Sequence, residues 1–176
     1  MRKTANQDLI RLEPEAFKAA DKTRLRIILD DVRSLNNIGS IFRTSDAFLV
    51  EKIYLCGITA QPPHRDIQKT ALGSTETVDW EYHADVLPLV KKLQEQNIVV
   101  LGIEQVEGAI WLHDFAPSPA LTYTVIFGNE VKGVAQEVID QCDGVIEIPQ
   151  FGSKHSLNVA VSAGVVIWEL FNKLKS

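Results

Sequence analysis

Short apolar runs recur along the chain. Between them lie stretches in which apolar residues return every three or four positions. The runs at 25–29, 52–56, 78–82, 98–103, 122–127 and 145–148 read as strands. The longer period predicts helices over 14–20, 37–49, 85–96, 134–140 and 157–174. Strands that alternate with helices predict an α/β layer fold with a mainly parallel sheet and helices on both faces. Runs such as VVLGI and YTVIF are apolar without alternation, as strands covered on both faces should be.

Ligands of open α/β sheets bind beyond the carboxyl ends of the strands, so the residues after each strand matter most. Three segments stand out there: DDVRSLNNIGSIFRTSDAF, GNEVKG and PQFGSKHSLNV. In the first, Asn36 or Asn37 suits a helix N-cap, and Asn36, Ser40 and Arg43 share one helix face. Arg43 is either a phosphate-binding fork or a solvated side chain paired with Asp46 or Glu51. In the second, Glu130 is either a ligand contact or the cap of the helix near Val134. In the third, Ser156 suits the N-cap of the last helix, and Lys154 or His155 can reach an anion. GxGxxG, GxxxxGK[ST] and GxSxG are all missing, which argues against a dinucleotide fingerprint, a P-loop and a serine hydrolase.

The last helix has almost no polar face from Val159 to Phe171. A helix apolar all round is normally buried all round. One face is expected on the sheet and another on a second copy, with Ala160, Ala163 and Gly164 allowing close approach. A homodimer through this helix is the expectation.

The 176 residues suit a single domain. Without a signal peptide or a run near the length that spans a bilayer, a cytoplasmic protein with no membrane partner is expected. Cys56 and Cys142 lie in apolar strand-like segments and read as buried free thiols. Neither they nor the four histidines show metal-ligand spacing, so no metal is expected. The net charge of −5 weighs against an RNA partner. However, residues 1–43 carry nine Lys and Arg against six Asp and Glu, so a locally basic face is possible.

Together the three segments resemble the SpoU (TrmH-like) family of the SPOUT methyltransferases. The first family motif is N-x-G-x-I-x-R-T-x-x-A-F, met here by Asn37, Gly39, Ile41, Arg43, Thr44, Ala47 and Phe48. The second is G-N-E-G-x-G, met by Gly128, Asn129, Glu130 and Gly133, with Val131 in place of the middle glycine. The third is I-P-M-x-G-x-x-x-S-L-N-V-[SA]-V-A. Ile148, Pro149, Gly152, Ser156, Leu157, Asn158, Val159, Ala160 and Val161 meet it, with Gln150 in place of Met.

The resemblance implies a parallel α/β sheet with a C-terminal deep trefoil knot. It implies S-adenosyl-L-methionine held by backbone groups near Ile103 and Glu104, Phe127 and Gly128, and Ile148, Gln150 and Leu157. It implies methyl transfer to a ribose 2′-hydroxyl of tRNA or rRNA by a homodimer. Arg43 would fix the adjacent phosphate and stabilise the developing alkoxide, because its own pKa is too high for a base. Asn37, Ser156 and Asn158 would orient the ribose and Arg43, and Glu130 would position Arg43 or the cofactor loop. A non-catalytic RNA-binding protein and a base-directed methyltransferase are the rivals. With about 24 residues before the first strand, no separate RNA-binding domain is expected, only a short N-terminal helical extension. Arg2, Lys3, Arg11 and Lys18, or a polar loop at 62–73 with His64, Arg65 and Lys69, would then meet RNA.

Overall fold

The computed structural model describes residues 3–4 and 12–175. Arg2 and Arg11 lie outside the described residues, while Lys3 and Lys18 are exposed. A short helix α1 (Pro14–Ala19) leads into β1 (Thr23–Asp30), α2 (Leu35–Ala47) and β2 (Val50–Cys56). Then come α3 (Arg65–Ala71), α4 (Ser74–Thr77), β3 (Trp80–His83), α5 (Val86–Glu95) and β4 (Val99–Ile103). The last part holds β5 (Ile110–Trp111), β6 (Tyr123–Phe127), α6 (Gln136–Ile139), β7 (Gly144–Glu147) and α7 (Val159–Lys175).

The strands form one seven-stranded sheet in the order β3-β2-β1-β6-β4-β7-β5. Every pairing is parallel. Alternate residues of β1 feed two cores, as strand geometry demands. Leu25, Ile27 and Leu29 pack with Ile38, Ile41 and Phe42 of α2 and with Ala163, Val166, Ile167 and Leu170 of α7. Ile28 faces the other way, onto Leu89, Val90 and Leu93 of α5 and Val138 of α6. Helices therefore cover both faces.

Several local expectations shift. Helix α2 starts at Leu35, capped by Ser34, whose hydroxyl accepts from the Asn37 amide; Asn36 and Asn37 lie inside the helix. The expected polar loop at 62–73 contains α3, capped by His64 and seated through Ile67 and Ala71. Helix α3 lies against α2 at Gly39, where an added Cβ would meet the Ile67 carbonyl oxygen at 2.2 Å. The motif glycine thus serves close helix packing. Helix α7 starts at Val159 and is capped by Asn158, not Ser156: Asn158 Oδ1 accepts from the amides of Ala160 and Val161 at 2.9 and 3.3 Å. Cys142 is half-buried and lies before β7, outside any strand, whereas Cys56 is buried in β2. Burial pushes the Cys56 thiol up to about 12, with nearby carboxylates adding to the effect.

On α7, Ala163 is fully buried in its own core. The residues left outward are Val161, Val165 and Trp168, which recur at i, i+4 and i+7 and form a stripe. The rings of Phe48 and Phe171 border this stripe, each packed on Trp168.

Candidate functional site

The strands β6, β4 and β7 are neighbours in the sheet, and their carboxyl ends open into one cavity of about 250 Å³. Ile103 and Glu104 line it from the end of β4, Phe127 and Gly128 from β6, and Ile148 and Gln150 from beyond β7. Ser156 and Leu157 contribute from the segment before α7. All seven positions that the resemblance implied for the cofactor therefore stand around one cavity. Sequence reading missed Gln105, Lys132 and Ser162 on its wall. Ser162 lies one helical turn after Asn158, a spacing that could have pointed to it.

The loop between β6 and α6 closes on itself. Asn129 and Gly133 exchange backbone hydrogen bonds at 3.0 and 2.8 Å. The Asn129 side chain accepts from the amides of Val131 and Lys132, and donates to the Asp31 carbonyl at 2.8 Å. This explains why the family asparagine sits there: one amide group organises the turn and ties it to the end of β1. Val131, which replaces a motif glycine, is 80% exposed. Its side chain meets solvent, so the replacement costs no packing.

Glu130 does not cap the helix near Val134. Its carboxylate accepts from the amides of Arg33 and Ser34, each at 2.9 Å, and from Asn37 Nδ2 at 3.2 Å. It therefore satisfies the free amides that lead into α2. Partial burial pushes its pKa up, but the two amides and Asn37 outweigh this and leave the carboxyl below its ordinary value. Asn37 Oδ1 in turn accepts from Asn158 Nδ2 at 3.2 Å. One chain of hydrogen bonds thus joins all three motifs.

Arg43 stands apart from that chain. It is exposed and makes no ion pair with Asp46 or Glu51 among the described residues. Glu51 instead pairs with Arg26, and Asp46 accepts from Thr77. Six residues separate Arg43 from Asn37, about 9 Å of helix rise and roughly two thirds of a turn out of phase. The hydrogen bonds of Glu130 therefore hold the start of α2, and none goes to Arg43. Ser156 is exposed on the cavity wall.

Among the described residues no cluster of three or more His, Cys, Asp or Glu is placed to hold a metal. No helix among them is long and apolar enough to cross a membrane.

A parallel sheet covered by helices on both faces, with a cavity at the carboxyl ends of its strands built from three looped segments, defines a protein of the α/β class. The SpoU rRNA Methylase family matches residues 24–168, and the chain belongs to that family. The 23S rRNA (guanosine-2′-O-)-methyltransferase RlmB of Neisseria meningitidis is 28% identical over 165 residues. That alignment covers 94% of this chain and 64% of the relative. RlmB of Bordetella pertussis is 26% identical, over 88% of this chain and 62% of its own length. The chain spans about three fifths of the length of these curated relatives. Among solved structures, the A. aeolicus TrmH/SpoU tRNA modifying enzyme superposes with a TM-score of 0.80 at 22% identity, covering 92% of this chain and 80% of that one. The AdoMet-bound rRNA methyltransferase of Sinorhizobium meliloti gives 0.79 at 24% identity, over 91% and 61%. These two structures share the fold.

Proposed function

We propose that this chain is an S-adenosylmethionine-dependent RNA methyltransferase acting on a ribose 2′-hydroxyl of tRNA or rRNA. The observation that carries the reading is the single cavity made by the three motif segments. Its chemistry fits the cofactor. Ile103, Phe127, Ile148 and Leu157 offer apolar walls to a flat base, and the strand ends offer backbone donors and acceptors. Glu104 and Glu130 line the same cavity, and their carboxylates are taken up by backbone amides that hold its walls. When bound, S-adenosylmethionine supplies an electrophilic methyl group.

The chain's own residues then have distinct tasks. Arg43, free and exposed, binds the phosphate beside the target ribose and stabilises charge developing on the 2′-oxygen. Asn37 and Asn158, held by each other and by Glu130, orient the ribose together with Ser156. The proton leaves to a phosphate oxygen or water. Guanosine 2′-O-methylation of 23S rRNA is the activity named for the Neisseria relative, which makes ribosomal RNA the first substrate to test, beside tRNA.

A homodimer through α7 belongs to the same reading, supported by the outward stripe of Val161, Val165 and Trp168. So does the C-terminal knot. Lys173 of α7 also anchors the helix, its ammonium donating to the carbonyls of Leu112, His113 and Phe115 in the segment after β5. A cytoplasmic location, with this domain's own surface taking part in RNA recognition, completes the proposal. Arg65 on α3 and Lys3 and Lys18 near the N-terminus are exposed cations for that purpose.

The test is transfer of labelled methyl to total tRNA and rRNA, followed by mass mapping of the nucleoside. Arg43→Ala should lose methyl transfer and still bind the cofactor. Loss of cofactor binding would contradict the assigned role. Cofactor binding without any transfer by the wild type would favour a non-catalytic RNA-binding protein. A methylated base would favour the base-directed class.

A further inference from the structure

We infer that the Glu104 side chain is the positioning residue that shapes the cofactor loop, acting through Gly133 and Val134. The inference rests on reading the cavity as the S-adenosylmethionine site. Nothing in the spacing around Glu104 marks it: it is one carboxylate following an apolar strand. The structure places both of its oxygens on backbone amides. Oε1 accepts from Gln105 at 2.8 Å and Oε2 accepts from Val134 at 2.9 Å. A half-buried carboxylate that ends a strand here links that strand to a loop 30 residues away.

Gly133 makes this contact possible. Its φ is +68°, and a Cβ added there would lie 2.0 Å from Glu104 Oε2. The carboxylate therefore occupies the space that any side chain at 133 would need. The family glycine is required on two counts, its left-handed backbone and the oxygen seated against it.

The loop 128–133 is thus held from two sides. On the β1 side, Asn129 is tied to Asp31, and Glu130 to Arg33, Ser34 and Asn37. On the β4 side, Glu104 holds the chain as it leaves Gly133. Glu104, Gly128 and Gly133 all line the cavity. The groups that would hold the cofactor are backbone groups of this loop, so their order must exist before binding or be paid for during it. Glu104 fixes them in advance. A glutamine at 104 has one acceptor oxygen and cannot serve both amides, so Glu104→Gln should lose much of the effect that Glu104→Ala loses fully.

The experiment combines two readouts on the full chain. In amide hydrogen exchange without ligand, Glu104→Ala should speed exchange at Gly133 and Val134 at least tenfold. Arg33 and Ser34, held by Glu130, should stay as protected as in wild type. In calorimetric titration with S-adenosylhomocysteine, the same variant should bind at least tenfold more weakly. The Michaelis constant for RNA should stay within about twofold. Unchanged exchange at Val134, or affinity within twofold of wild type, would overturn the inference. So would a loss of protection spread evenly over the sheet, since that marks a general structural role. If Glu104→Ala does not fold, Glu104→Gln is read in the same two assays. A wild type that binds neither S-adenosyl ligand sinks the parent reading instead, and the exchange result still decides what Glu104 does to the loop.

Discussion

The Asn158 side chain performs two tasks with its two ends: Nδ2 donates to Asn37 Oδ1 at 3.2 Å, and Oδ1 caps α7. The partners lie 121 residues apart in sequence. The tasks can be separated by substitution. Asn158→Ala should remove both, lowering stability by about 1 kcal/mol through the lost cap and abolishing most methyl transfer. Asn158→Ser keeps a capping oxygen but has no amide to reach Asn37. It should recover the stability in urea unfolding without recovering the activity. A serine variant with wild-type turnover would show that the contact with Asn37 is dispensable.

Glu130 makes the same network sensitive to acid. Its pKa is lowered in the folded protein. A carboxyl lowered by folding contributes stability above its unfolded pKa, and that contribution is lost as pH falls through the folded pKa. Because Glu130 is exposed, solvent screening keeps this below about 1 kcal/mol. Glu130→Gln should therefore be slightly less stable than wild type at pH 7, with the gap closing toward pH 3 in denaturant titrations. A gap that stays constant with pH would mean that the charge is not what holds the start of α2.

Asp30 carries the opposite sign. Burial, then the nearby charges of Asp31, Asp85 and Glu137, push its carboxyl up to about 6. Folding therefore favours the protonated form. Stability from this group is highest below about pH 4, falls as pH rises toward 6, and stays low above that. Asp30 is only 9% exposed, so the cost at neutral pH is about 1–3 kcal/mol, at 1.36 kcal/mol per pKa unit. Asp30→Asn removes the ionisation and should stabilise the protein at pH 7.5 by that order, with the advantage vanishing near pH 4. Equal stability of the two proteins at pH 7.5 would rule this out.

These examples also show what the sequence could and could not disclose. The longer strands were legible because their apolar runs must be covered on both faces, and the carboxyl ends followed from the α/β pattern. Helix α3 was hidden because its buried side is only Ile67 and Ala71, set among prolines, a glycine and charges. The two-residue strand β5 is too short to show a period. The motif residues could be named, but their partners could not. Glu130 as a holder of the Ser34 amide, across 96 residues, depends on two loops meeting at one sheet edge. For the same reason Glu104 was legible only as a position near the cofactor, and its carboxylate seated against Gly133 was not.

The outward face of α7 gives the last prediction. Val161 is 53% exposed and Val165 is 40% exposed, and neither is needed by the chain's own core. On a monomer, an aspartate at either place would be nearly neutral, because surface substitutions usually change stability by less than about 0.5 kcal/mol. In a homodimer through this face, two added carboxylates would be buried near their symmetry mates, a costly arrangement without partners. Val161→Asp combined with Val165→Asp should therefore shift the protein to half its mass in gel filtration with light scattering, leaving the circular dichroism of the folded chain intact. Trp168 is a poorer choice, since its ring also packs on Phe48 and Phe171 within the same chain. A wild type that runs as a monomer at micromolar concentration, or a double variant that remains dimeric, would exclude α7 as the interface.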